Sequence, residues 1–246
     1  MKILLIDTCG ATGSVAVAEA DRSPAILATE SLPGRTASER LVPTIKELAA
    51  RSEIGLQALE AVVVVHGPGS FTGVRVGLSA AKGLCEALHL PLIAISRLAV
   101  LASFAEKPPA VPVRALLDAG RGEFYSGVYA EGVCLREALL TREELLVVHG
   151  VDPAQVVVVC EPVIADALAS LDPQLVAEPT AADALPLALG RIQQRAYDDA
   201  ALLDANYLRR TDAEIFAKPT ASAASSPSAV AASQSGAKGQ PGTPLR

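Results

Sequence analysis

The chain has 246 residues, half of them hydrophobic, with 21 basic and 27 acidic side chains and a formal charge of −6. That length allows one large domain or two modest ones, each with its own core, and no apolar run approaches the roughly 20 residues of a membrane helix, so a soluble protein is expected. Residues 218–246 carry three basic residues and no acidic one, so the rest is more acidic than the total suggests, which argues against autonomous nucleic-acid binding.

The start, MKILLIDT, reaches Asp7 too early for a signal peptide, and a cytoplasmic location is expected. Cys9, Cys85, Cys134 and Cys160 are scattered without a CxxC pair, which suggests buried thiols and neither a disulfide framework nor a zinc knuckle. Residues 3–7 read as a strand, 8–13 as a tight turn and 14–19 as a second strand, with Val15 and Val17 alternating against alanines. Residues 25–31 can supply a third. After Pro33 and Gly34, Thr36-Ala37-Ser38-Glu39 offers a capping box for a helix to about Ser52, in which Pro43 either introduces a kink or marks the true start.

Val62 to Val65 is a run of four valines, the pattern of a strand buried on both faces. Gly67, Pro68 and Gly69 then force a turn, and a helix runs from about Phe71 to Leu88, with Ser70 or Thr72 available as its cap. Two readings of this unit stand side by side. Backbone N–H groups at a glycine-rich helix start suit an anion such as a phosphate, and Arg75 lies one turn in, able to reach it or to face solvent. Alternatively, Gly73, Gly77 and Ala81 recur at a spacing of four, and since each interior glycine costs roughly 1 kcal/mol against alanine, close approach of another backbone would explain them. The helix is apolar on nearly every side, as expected if it is sandwiched in the fold or covered by a partner chain.

Residues 92–95 read as a strand and 97–105 as a helix capped by Ser96; residues 106–112, with three prolines, read as a hinge. The pattern then repeats: strands at 113–118, 123–129 and 133–137, a capping box at Thr141–Glu144, a strand at 156–160, and helices at 163–171 and 181–198, the last interrupted by Pro186. Asp7 and Asp118 each end the first strand of their half, and each precedes a glycine turn, DTCGATG and DAGRG. Duplicated halves of this kind point to an α/β, two-lobed, actin-like (sugar kinase, heat-shock ATPase, ribonuclease H-like) fold, the alternative being two unrelated α/β lobes, with lobes at 1–107 and 108–217. A tail follows at 218–246, where 20 of 29 residues are Ala, Ser, Pro or Gly, and disorder is expected.

The glycine loop matches neither the Walker nor the dinucleotide fingerprint. His66, His89 and His149 stand alone, so no metal site is expected, and His66 reads as a strand-end histidine bonded to backbone. No nucleophile elbow or cysteine–histidine pair is present in sequence, so no catalytic residue is assigned. Asp7 and Asp118 can serve as carboxylates in a kinase-like cleft or merely bond their own backbone two residues on.

The segments ILLIDT (3–8), SERLVPTI (38–45), GPGSFTGVRVGLSAAKGL (67–84), DAGRGEFYSGVY (118–129) and NYLRR (206–210) together resemble the TsaB (YeaZ) family over about residues 1–217. The resemblance implies a non-catalytic partner of the TsaD transferase in threonylcarbamoyladenosine (t6A) modification of tRNA beside the anticodon, forming a heterodimer to which the TsaE ATPase docks; it also allows self-pairing. The tRNA is met only through the complex, and no membrane is involved. Catalytic relatives hold metal with a His-x-x-x-His pair, whereas this chain has Ala37 where many family members keep one histidine. The resemblance favours the second reading of the glycine helix, because the helices matching 38–52 and 73–88 build a four-helix partner contact. It places Leu41, Ile45 and Leu48, with Val74, Gly77, Leu78 and Ala81, near that interface, without saying which face outward. A nucleotide, if bound, is expected at Asp7, Thr8, Gly67, Gly69, Ser70 and Thr72. No cofactor is certain, ATP or ADP at or near the partner interface being the candidate. Arg121, Glu123 and Tyr125 match a family motif without a physical account of their role. The alternative is an ATP-dependent phosphotransferase or a glycoprotease-like metallopeptidase of the same superfold.

Overall fold

The computed structural model describes residues 1–21, 25–33, 36–108, 110–151 and 155–208; the expected tail at 218–246 lies outside them. In the first half, strands β1 (Lys2–Asp7), β2 (Gly13–Glu19) and β3 (Ile26–Leu32) are followed by helix α1 (Ala37–Arg51), β4 (Ala61–Val65), α2 (Phe71–Leu88), β5 (Leu92–Ile95) and α3 (Arg97–Ala102). The second half runs β6 (Val113–Gly120), β7 (Glu123–Ala130), β8 (Val133–Thr141), α4 (Arg142–Val151), β9 (Val156–Val159), α5 (Pro162–Ala167), β10 (Gln174–Leu175) and α6 (Leu185–Gln193).

Each half builds one five-stranded sheet, and the two orders correspond strand for strand: β3-β2-β1-β4-β5 and β8-β7-β6-β9-β10. In each, the first three strands form an antiparallel meander, and the fourth and fifth add parallel to the first. Two mixed sheets with one shared order, joined by helices, are the duplicated actin-like fold.

Strand β1 explains why the centre is dry. Leu4 and Ile6 face one way into a cluster with Val62, Val64 and the helices α1 and α2, while Ile3 and Leu5 face the other way, against Ala181, Ala184 and Ala188. Alternate side chains point to opposite faces of a strand, and a strand covered on both sides needs apolar residues throughout.

The helices are exchanged between the halves. Helix α3, from the first half, supplies Leu98 and Leu101 to one face of the second sheet, packed on Val113, Ala115 and Leu117. Residues 181–188, from the second half, cover the first sheet. Neither sheet therefore has a complete core without chain from the other half.

Several expected boundaries shift. Thr36 makes no side-chain cap: its backbone is already helical, and its hydroxyl donates to the Pro33 carbonyl at 2.8 Å. Ser96 does not cap α3 either; its hydroxyl goes to Glu137. The Thr141–Glu144 box does form, with N–H to side-chain bonds of 2.8 and 3.2 Å. The single helix expected over 181–198 is a 3-10 turn at 181–184 followed by α6, and Asp198 bonds the edge of β5 through its backbone and carboxylate.

Candidate functional site

A cleft of about 1000 Å³ lies between the two sheets, where the ends of β1 and β6 meet. The residues at those two ends do the same thing. Asp7 accepts the N–H of Cys9 through Oδ1 at 2.8 Å, and Asp118 accepts the N–H of Gly120 in the same way at 2.8 Å. Each carboxylate thus closes its own turn, the second of the two roles open to it from sequence. The β6–β7 turn places Gly120, Arg121 and Gly122 all at positive φ, so the motif around Arg121 has a structural role: glycines at two of three left-handed positions.

Around Asp7, the loop after β1 and the glycine loop after β4 are pressed together. The Ser70 N–H donates to the Cys9 carbonyl at 2.8 Å, the Thr8 hydroxyl to the Gly73 carbonyl at 2.6 Å, and the Cys9 thiol to the Val65 carbonyl at 3.1 Å. A Cβ on Gly69 would lie 2.4 Å from the Cys9 carbonyl oxygen, and one on Gly73 2.0 Å from that of Thr8. Gly67, at φ 108°, backs onto Asn206. Ser70 caps α2 by accepting from the Gly73 N–H at 3.3 Å. The residues expected at a nucleotide therefore form a loop-on-loop junction. Thr8, Gly69, Ser70 and Thr72 line the cleft, whereas Asp7 and Gly67 lie behind it.

The cleft's electrostatics oppose a polyphosphate. Among the described residues Arg97, at the start of α3, is the one cation lining it, set against Asp118, Glu161 and Glu178. Arg97 is buried, donates to Glu178 at 2.7 Å, and stands 4.0 Å from the buried Asp7. Burial raises the Asp7 pKa, and the attraction of Arg97 and the Cys9 N–H only partly offset this. Burial also raises Glu161, and its carboxylate neighbours Asp118 and Glu178 push the same way. Arg97 is pulled down by burial but more than compensated by Asp7 and its other anionic neighbours, so it stays charged. The cleft thiols stay protonated at neutral pH: burial pushes Cys160 up to about 11 and Cys9 well above the ordinary range.

The seven residues expected near a partner interface are all buried in this chain. Leu41, Ile45 and Leu48 of α1, and Leu78 and Ala81 of α2, fill the cluster against β1 and β4; Val74 packs with Cys9 and Val65; Gly77 is buried, and a Cβ there would lie 2.3 Å from the Thr8 hydroxyl. The apolar side chains among them hold the two helices on the sheet. The outward faces of the pair are different residues: Val42, Pro43 and Lys46 on α1, and Phe71, Arg75, Ser79 and Gly83 on α2. Val42 is 49% and Phe71 47% exposed.

His66 behaves as expected, with its ring Nδ1 3.0 Å from the Ile95 carbonyl. Among the described residues no cluster of three or more His, Cys, Asp or Glu could hold a metal ion, and no helix is long and apolar enough to cross a membrane. Sequence reasoning missed Arg97, Glu161 and Glu178, which carry no periodic signal, and Tyr207, whose ring lies 5.8 Å from that of Phe71.

Residues 31–146 match the family model for TsaD, tRNA N6-adenosine threonylcarbamoyltransferase. The tRNA threonylcarbamoyladenosine biosynthesis proteins TsaB of Haemophilus influenzae and Escherichia coli are 39% identical over 126 residues and 36% identical over 130 residues. These alignments cover 51% and 52% of this chain and 52% and 55% of those proteins, so the chain spans about half the length of the curated relatives it matches. A crystal structure described as a protein with similarity to peptidase YEAZ from Pseudomonas aeruginosa superposes with a TM-score of 0.70 at 28% identity, over 85% of this chain and 99% of that one. The sequence relatives and a superposition over nearly all of that solved chain agree, and the chain is similar to the TsaB (YeaZ) proteins.

Proposed function

We propose that the protein is a non-catalytic partner of a TsaD-type transferase in t6A modification of tRNA, and that it meets the transferase through the outward faces of α1 and α2. The observation that carries this reading is the helix pair itself. Its inner residues are consumed by the core, while its outer face presents Val42 and Phe71 to solvent beside small residues, Ser79 and Gly83, that permit close helix approach. The cleft supports the same reading, since Gly69, Gly73 and the Thr8 hydroxyl are spent on joining two loops and Arg97 is held by carboxylates. A phosphotransferase is less well served by so acidic a cleft. A TsaE-type ATPase and a second copy of the chain are further partners within this proposal, as is a cytoplasmic location.

The test is light scattering of the purified protein mixed with the transferase of the same organism. A one-to-one complex is expected, and Val42→Glu should weaken it by tenfold or more, as a charge buried in an interface centre costs about 2 kcal/mol or above. Val163→Glu is the control, because Val163 is 76% exposed on α5, and it should bind as wild type. A wild-type protein that forms no complex would refute the reading, and loss of binding in both variants would place the interface elsewhere.

A further inference from the structure

On the outward face of α2 one cation is held in an unusual way. Arg75 is the only charged residue between Phe71 and Ala81. Its guanidinium carbon lies 3.4 Å from the Phe71 ring centroid and 5.3 Å from that of Tyr207. The two rings stand 5.8 Å apart, tilted by 33°, and are 47% and 38% exposed. Arg75 makes no ion pair among the described residues.

Tyr207 reaches this place from far along the chain and is fixed there. After α6 the chain crosses β5, where Asp198 is bonded to Leu92, Ala94 and Arg191. It then lays Leu203 and Ala205 against the core under α1 and α2. Asn206 locks the position: its N–H donates to the His66 carbonyl at 2.8 Å, and its side-chain amide to Glu137 at 2.6 Å. Glu137 also accepts the hydroxyls of Ser96 and Tyr129. The second ring of the stack is thus anchored through both sheets.

The guanidinium lies over the Phe71 ring with Tyr207 to one side, the three centres forming a triangle of 3.4, 5.3 and 5.8 Å, and its planar fork matches a carboxylate in two parallel hydrogen bonds. Ordering the side chain in advance removes much of the entropy lost on binding. We infer that Arg75, Phe71 and Tyr207 form a preorganised clamp for an aspartate or glutamate side chain of the protein partner, with the exposed parts of the two rings receiving the apolar residues beside that carboxylate. The inference rests on the partner reading above and extends it from α1 and α2 to the C-terminal strap. A carboxylate on a protein suits the surface better than RNA phosphate, because the chain carries a net negative charge outside its tail and RNA binding normally needs a basic footprint.

The test is titration calorimetry of the full chain with the transferase, using wild type, Arg75→Met, Arg75→Lys, Arg75→Glu and Tyr207→Leu. Both altered side chains are exposed, and unchanged unfolding midpoints would establish that each variant is folded. Arg75→Met should weaken binding about tenfold and Arg75→Glu about a hundredfold. Arg75→Lys, which keeps the charge but not the planar fork, and Tyr207→Leu, which loses the second ring, should fall between wild type and Arg75→Met. Raising salt from about 0.05 to about 0.5 M should weaken wild type more than Arg75→Met. A single Asp→Lys or Glu→Lys change on the transferase that abolishes wild-type binding should restore binding to Arg75→Glu. Wild-type affinity and salt dependence in Arg75→Met would overturn the clamp while leaving the partner reading intact. A wild type that binds no transferase would overturn both. Binding of an anticodon stem-loop to the protein alone, lost in Arg75→Met, would overturn the carboxylate in favour of phosphate.

Discussion

Gly73→Ala is expected to destabilise the fold by about 3 kcal/mol or more, while Gly83→Ala in the same helix is expected to stabilise it by about 0.5–1 kcal/mol. Alanine is the better helix former at both positions, so propensity alone predicts two gains of similar size. The surroundings separate them. A Cβ at Gly73 would sit 2.0 Å from the backbone oxygen of Thr8, an atom that cannot rotate away, whereas nothing lies within 4 Å of a Cβ at Gly83. Relieving the first contact means lifting α2 off the loop after β1, which breaks the Thr8 to Gly73 hydrogen bond and opens a gap in a close-packed core. Urea unfolding midpoints of the two variants measure the difference directly, and equal midpoints would mean that α2 does not lie on this loop. The same geometry governs Gly77, where a Cβ would meet the Thr8 hydroxyl at 2.3 Å. Gly77→Glu would therefore unfold the junction, and loss of a complex in that variant would report on folding and not on the interface. Val42 and Arg75 are the informative positions.

What the sequence made legible is what repeats locally. Four valines announced β4, the cap at Ser70 and the run to Leu88 gave α2 its ends, and Asp7 and Asp118 before glycine turns revealed the duplication that the matching strand orders display. The two-residue β10 is too short to have a pattern, and the exchange of α3 and 181–188 between sheets is a tertiary event with no local trace. The phase of α2 was hidden for a different reason. With Val74, Val76, Leu78, Ala80 and Leu84 spread around the helix, no hydrophobic stripe singled out the inner face. The small residues at 73, 77 and 81 point to close approach of another backbone without saying which, and at Gly73 and Gly77 it is the loop after β1. Capping shows the same limit. Thr36–Glu39 and Thr141–Glu144 carry one signature, but only the second forms, because the backbone at Thr36 is already helical where a cap residue is normally extended. A box at Thr180 and Asp183 also forms.

Arg97→Met should cost about 3–5 kcal/mol, the usual penalty for removing one partner of a buried ion pair, and the loss should depend on pH in a definite direction. Arg97 joins the cleft from three sides: its N–H donates to the Gly67 carbonyl at 2.8 Å, its guanidinium to Glu178 at 2.7 Å, and Asp7 lies at 4.0 Å. Methionine keeps much of the volume and none of the charge, leaving Asp7 buried without a counter-ion. Asp7 already has a raised pKa because burial outweighs the attraction of Arg97, and removing that attraction raises it further. A carboxyl whose pKa is higher folded than unfolded favours the folded state while both forms are protonated, and that contribution is lost as pH rises through the folded value. The deficit of Arg97→Met should therefore be larger at pH 8 than at pH 5, as read from urea midpoints against wild type at each pH. The double variant Arg97→Met/Asp7→Asn separates charge from packing. If the buried carboxylate causes the loss, adding Asp7→Asn recovers part of it at pH 8 and flattens the pH dependence, because the amide cannot ionise yet its side-chain oxygen can still accept from the Cys9 N–H. A deficit that is the same at both pH values and unmoved by Asp7→Asn would assign Arg97 to packing between the sheets and remove charge from the account.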